Sequence, residues 1–217
     1  MEITMETFLF DFDNTLADSG ETSIMAVQKV FADAHKPVPS REMIFSDMGL
    51  PIETSFPVWA GLDSQDIFLQ QMYAEFRAYY SEIEGANTRL FPGIQAALEG
   101  LKNNGHKLYV VSSKSSGPLA RNLDNLGIGQ YFTDLVGSDL VENFKPAPDG
   151  ILQLVEKYRL NKEQAVMVGD AIFDLQMGHA AGVKTAGAGW GAFDLEALKA
   201  QKPTYLLDEP AQLLEIK

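Results

Sequence analysis

The sequence predicts an α/β protein: a doubly wound, mostly parallel sheet interrupted after its first strand by an all-helical insert. Three observations predict it. From Leu90 onward, short apolar runs alternate with segments of helical periodicity, the pattern of βαβ units. A lone apolar run, Thr7-Phe8-Leu9-Phe10, precedes them all and ends abruptly in Asp11-Phe12-Asp13-Asn14-Thr15. Between the two, Glu21 to Tyr80 shows helical spacing and no convincing strand.

Each element follows from local pattern. Thr7-Phe8-Leu9-Phe10 reads as a buried strand with acids at its C-terminal end. In the insert, Ile24, Val27, Val30 and Phe31 recur at helical spacing, and a second helix is expected near Ser40. Pro51 and Pro57 are expected to break the middle, and Ile67–Tyr80 lines up Phe68, Met72 and Phe76 on one side. Beyond Leu90, strands are expected over 107–111, 132–136, 165–168, 183–186 and 204–207. Helices are expected over 93–103, 118–126, 149–158, 172–181, 195–200 and 210–216, with stops at Asn104-Gly105, Gly127 and Gly182. This places the core at residues 1–17 and 88–217 and the helical insert at 18–87, joined by linkers near 17–20 and 84–89.

Composition narrows function. The 217 residues are 46% hydrophobic and 22% charged, the balance of a globular protein, with a net charge of −13. That excess of carboxylates argues against binding nucleic acid or an anionic membrane surface. It does not argue against a small anionic substrate, because a bound metal and a few cations invert the local field. There is no cysteine, so disulfides and thiolate sites are excluded, in keeping with a cytoplasmic location. Met1–Phe10 has no basic stretch ahead of a long apolar run, so no secretion signal is expected.

In a parallel sheet, ligands bind outside the carboxyl ends of the strands. The first strand ends in Asp11, Asp13 and Thr15, alternate residues that can face one way. The strand near Val111 ends in Ser112-Ser113-Lys114-Ser115-Ser116, a hydroxyl-rich lead into a helix N-terminus and a ready anion site. Lys145 stands in Lys145-Pro146-Ala147-Pro148-Asp149, a loop stiffened by two prolines. The strand near Val168 ends in Gly169-Asp170, with Asp174 about one helical turn on. Taken singly, these read as turns, N-caps and dipole complements. Together they bring a cation site and an anion site to one edge, and oxygen-only ligands fit Mg²⁺ rather than zinc.

These residues resemble the haloacid dehalogenase-like superfamily. Phe10-Asp11-Phe12-Asp13-Asn14-Thr15-Leu16 is similar to its first motif, Asp-x-Asp-x-Thr after an apolar strand. Ser112 matches the second motif, Lys145 the third, and Gly169-Asp170-x-x-x-Asp174 the fourth; the insert resembles the family's helical cap domain. The resemblance implies a phosphatase acting on a small phosphorylated metabolite. Asp11 is then the nucleophile that forms an aspartyl-phosphate, and Asp13 the acid and base. Thr15, Ser112, Ser113 and Lys145 would bind the phosphate. Mg²⁺ would be held by Asp11, Asp170 and the Asp13 carbonyl, with Asp174 direct or through water. Gly49-Leu50-Pro51 and Trp190-Gly191 look like phosphoglycolate-phosphatase-type members, although Ser112-Ser113-Lys114 departs from their Thr-Asn-Lys. Sugar-phosphate mutases carry a cap His after an Asp-Thr/Ser pair; here Ser23 follows Asp18-Ser19. A sugar-phosphate mutase and a pyrophosphatase remain alternatives, as does, from a different class, a receiver-like phospho-accepting module.

Other candidates have plainer readings. His35 and His106 are expected at the surface, Tyr73, Phe76, Tyr79 and Tyr80 in the cap core, and Trp59 and Trp190 in packing. Arg77 and Arg89 are candidates to reach the substrate from the cap side.

Overall fold

Thr7–Phe10 (β1) has no exposed residue, because a strand runs along each of its sides and helices cover both faces. The computed structural model describes residues 5–217. The expected absence of a secretion signal, and the start of the core at residue 1, rest partly on residues 1–4, outside the described residues. The other strands of the main sheet are Lys107–Val111 (β4), Asp134–Val136 (β5), Ala165–Gly169 (β6), Lys184–Ala188 (β7) and Tyr205–Leu207 (β8). The order is β5-β4-β1-β6-β7-β8, and every neighbouring pair is parallel. The chain builds outward from β1 to β4 and β5, then returns to the other side for β6. That reversal makes β1 the topological switch point, where such sheets bind ligands.

Period-two alternation sorts the core. Phe8 and Phe10 face Ile94–Asn103 (α5) and Ser116–Asn125 (α6), packing with Leu98, Leu101, Leu119 and Leu123. Leu9, Tyr109 and Met167 face Asp149–Tyr158 (α7) and Ile172–Ala181 (α8), packing with Ile151, Leu154 and Met177. Leu195–Ala200 (α9) follows β7, and a 3₁₀ stretch, Pro210–Glu215, closes the chain where a last helix is expected.

The insert is built from Gly20–Asp33 (α1), Arg41–Ser46 (α2), Ile52–Ala60 (α3) and Ile67–Asn87 (α4). It has its own apolar cluster, centred on Ile24, Phe31, Phe56, Leu69 and Met72. Ser40 starts α2 by accepting from Met43 N–H at 3.2 Å, and Asp66 starts α4 by accepting from Phe68 N–H at 2.9 Å. Two expectations about the insert fail. Pro57 lies inside α3 instead of breaking it, in a helix only nine residues long that ends three residues later. And α4 continues past Tyr80 to Asn87, because Glu84 is buried against α6 instead of facing water. At the junction, Ala17–Asp18 (β2) pairs antiparallel with Arg89–Leu90 (β3), so the two linkers form a ribbon.

Candidate active site

The register of the sheet creates the site. Phe10 pairs with Val110 on one side and Val168 on the other, so all three strands run out at one edge. Asp11, just past β1, and Asp170, just past β6, therefore emerge side by side. Asp174 joins them from the first turn of α8. The three carboxylates each offer an oxygen within 4.8 Å of the others, and all three residues are buried. Gly169 makes the approach possible: a Cβ there would sit 2.3 Å from the Cβ of Asp174.

Lys145 is the single ammonium in this cluster. Its Nζ donates to Asp11 Oδ1 at 2.6 Å and to Asp174 Oδ1 at 2.7 Å, with 3% of its side chain exposed. Asp174 Oδ2 also accepts from Ala171 N–H at 3.1 Å. Thr15 donates to Asp170 Oδ1 at 2.7 Å and accepts from Asp170 N–H at 3.0 Å. Three carboxylates share one ammonium, and negative charge is in surplus. Burial, with Asp174 and Asp13 nearby, overcomes the opposing Lys145 and raises the Asp11 pKa to about 7. Burial, then Asp174 and Asp11, hold Asp170 well above the ordinary carboxylate range. Lys145 is pushed upward by Asp11 and Asp174 despite burial, so it stays charged. A buried, oxygen-only donor set with net negative charge fits a hard divalent cation such as Mg²⁺, for which Asp11, Asp170 and Asp174 are the carboxylate ligands available.

Asp13 belongs to a different network. Its Oδ1 accepts from Ser19 Oγ at 2.7 Å and from Lys114 Nζ at 3.0 Å, and its side chain lies outside the carboxylate cluster. Lys114 Nζ also reaches the Tyr80 hydroxyl at 3.2 Å and Asn122 Oδ1 at 3.0 Å. Asn122 Nδ2 in turn donates to Glu84 Oε2 at 2.7 Å, and Arg121 closes on Glu84 at 3.0 Å. Asp13 and burial oppose one another at Lys114, and the outcome is a raised pKa and a permanent charge. This network escaped the sequence reading, in which Lys114 was only a loop residue and Tyr80 cap core.

The remaining candidates divide. Ser112 lines the same cavity as Asp11 and Asp13, and its Oγ accepts from Lys114 N–H at 3.1 Å. Ser113, expected to bind phosphate, commits its hydroxyl to the Gly49 carbonyl at 2.5 Å, tying the loop to the insert. Thr15, expected to touch phosphate, is fully buried and spends its hydroxyl on Asp170, so it positions that carboxylate. Arg89 folds back onto the carbonyls of Gly85, Ala86 and Thr88 at the end of α4. Arg77 lines the cavity but pairs with Glu53. His35 is exposed, and His106 is half-buried with its ring edge-on to Phe8.

The loop bearing Asp13 is clamped from the far end of the chain. Asn14 takes a left-handed φ of 59°. Gly191 lies so close that a Cβ would fall 1.7 Å from the Asn14 carbonyl oxygen, and the Trp190 indole N–H donates to the Thr15 carbonyl at 2.9 Å.

Comparison with known proteins agrees with this geometry. The model of the family described as haloacid dehalogenase-like hydrolase matches residues 8–188. The phosphoglycolate phosphatase of Aquifex aeolicus is 32% identical over 212 residues, covering 98% of this chain and 96% of its own. The pyrophosphatase PpaX of Bacillus pumilus is 30% identical over 215 residues, covering 99% and 97%. A haloacid dehalogenase-like family hydrolase from Streptococcus pneumoniae superposes with a TM-score of 0.84 at 28% identity, covering 97% of each chain.

Proposed function

Because the chain belongs to the haloacid dehalogenase-like hydrolase family, we propose that it is a Mg²⁺-dependent phosphatase that cleaves small phosphate monoesters through Asp11. The observation that carries this is the meeting of Asp11, Asp170, Asp174 and Lys145 at the switch point of the sheet. When bound among the three carboxylates, Mg²⁺ supplies the positive charge that a carboxylate and a dianionic phosphate need in order to approach.

The residues then divide the work. Lys145 holds Asp11 Oδ1, which fixes the carboxylate and leaves Oδ2 without a donor among the described residues. An Asp11 oxygen attacks phosphorus, and the bond from phosphorus to the leaving oxygen breaks. Asp13 gives its proton to that oxygen. It lines the cavity, and both its hydrogen bonds fall on Oδ1, leaving Oδ2 open. Asp13 next takes a proton from water as the water attacks phosphorus. Phosphate leaves and the Asp11 carboxylate is restored. Ser112, on the cavity wall, is placed to donate to a phosphoryl oxygen. Lys114 and Ser19 fix the orientation of Asp13.

Phosphoglycolate and pyrophosphate, the substrates in the relatives' names, are the first compounds to assay. With Mg²⁺, the protein is expected to release phosphate from p-nitrophenyl phosphate, and Asp11→Asn to lose at least about 10³-fold in kcat. An Asp11→Asn protein as active as the parent would end the proposal.

A further inference from the structure

A cavity of about 150 Å³ opens above Asp11, Asp13 and Ser112 and extends under the helical insert. Resting on the phosphatase reading above, its far wall describes the part of the substrate that leaves. Much of that wall is apolar: Val27, Ile44, Leu50, Trp59 and Phe76 line it. Three cations also stand on it, and each already faces a carboxylate. Lys114 meets Asp13 at 3.0 Å, Arg121 meets Glu84 at 3.0 Å, and Arg77 pairs with Glu53. Asp47 and Glu53 add negative charge to the lining. A second anionic group on the substrate would find no uncommitted cation here and would meet like charge.

The same wall carries Ser55. It is 4% exposed, and its Oγ is the only buried side-chain nitrogen or oxygen among the described residues that lacks a hydrogen-bond partner. A buried hydroxyl left unpaired is costly in a folded protein, and a ligand that supplies the partner recovers that cost on binding. Apolar surface with one unmatched polar atom is the usual make-up of a pocket for an amphipathic organic group.

We propose that the leaving group is an uncharged alcohol with an apolar body of ring or branched-chain size and one hydrogen-bonding group that meets Ser55. A carboxylate or a second phosphate, as in phosphoglycolate or pyrophosphate, is disfavoured. The binding energy of the apolar body lies far from phosphorus and is available to raise turnover as well as affinity.

The experiment compares four substrates with the Mg²⁺-loaded protein: phosphoglycolate, pyrophosphate, 2-phenylethyl phosphate and its 2-hydroxy-2-phenylethyl analogue. The phenyl esters are expected to exceed both anionic substrates in kcat/KM by roughly tenfold or more, the scale of a filled apolar pocket. Ser55→Ala is expected to raise KM for the hydroxylated ester about fivefold while leaving the plain phenylethyl ester within about twofold. Phosphoglycolate or pyrophosphate turned over as well as the phenyl esters overturns the proposal, as does a Ser55→Ala effect equal on both esters. Calorimetric binding of the same four compounds to Asp11→Asn reads the cavity's preference without turnover. The same binding preference beside a wild-type protein that hydrolyses none of the four would sink the phosphatase reading and leave only the cavity's choice of ligand standing, whereas equal binding of all four overturns that choice.

Discussion

Two lysines, Lys145 buried and Lys114 half-buried, bond directly to the acids of the first loop, and they answer opposite problems. Lys145 sits among Asp11, Asp170 and Asp174, one ammonium for three carboxylates. Lys114 faces one carboxylate, Asp13, and completes its shell with the neutral oxygens of Tyr80 and Asn122. The first cluster is short of positive charge and shows it in the raised Asp11 and Asp170. The second is balanced and complete. A charge-deficient cluster recruits a cation; a balanced one fixes direction, here the direction of Asp13. The same residue type thus marks an unfinished electrostatic site in one case and a finished orienting network in the other.

Lys145→Ala tests the first half and carries the largest expected effect. Removing the ammonium leaves three buried carboxylates facing one another, and stability measured by urea denaturation in EDTA is expected to fall by about 3–5 kcal/mol. Saturating Mg²⁺ is expected to restore much of the stability but little of the turnover. A fall of less than about 1 kcal/mol would mean that the cluster was not short of charge.

The pH dependence tests the same half without a substitution. A carboxyl raised from 3.8 to about 7 holds its proton in the folded protein after the unfolded chain has released it. Its contribution to stability is therefore full below about pH 4 and is lost as pH rises through about 7. Chelator-treated protein is expected to melt at a lower temperature at pH 8 than at pH 5.5. Mg²⁺ binding competes with the proton, so calorimetry in two buffers of different ionisation enthalpy is expected to record proton release at pH 6 and little at pH 8.5. Equal proton release at both values would refute the raised Asp11.

Lys114→Met tests the second half. Stability is expected to change less than in Lys145→Ala, because Ser19 still bonds Asp13. Turnover of an ester with a poor leaving group is expected to drop about 10²-fold, the scale of a mispositioned general acid. An activated ester, whose leaving oxygen needs no proton, is expected to lose much less. An equal loss on both substrates would show that Lys114 acts on something other than Asp13. The smallest effect belongs to Tyr80→Phe, which removes one contact of five on Lys114, keeps the ring beneath it, and is expected to cost about 1 kcal/mol or less. A larger loss than in Lys114→Met would move the centre of the network to the insert.

The same contrast explains what could be read from the chain. Asp11, Asp170 and Lys145 are legible because parallel strands end at one edge, and an acid after an apolar run is a local signal. The core strands and most helices are legible for the same reason, since periodicity and glycine stops are local. Glu84 and Asn122 are not. Their partnership spans 38 residues and depends on how α4 lies against α6, which no spacing encodes. Residue 84 falls in the expected linker, so the helix is expected to end at Tyr80; in the fold, Arg121 pairs with Glu84, Asn122 donates to it, and the helix runs on. The partners of Ser113 and Thr15 are illegible for a related reason. A hydroxyl in a promising loop does not announce which acceptor it has already found.

The clamp of Trp190 and Gly191 on the Asn14–Thr15 turn has a consequence for how the molecule comes into being. The turn that carries the chemistry is made first during synthesis, and the residues that hold its shape are among the last. A ribosome must deliver nearly the whole polypeptide before that turn can set, so a chain arrested after α8 carries Asp11, Asp13, Asp170 and Asp174 yet cannot work.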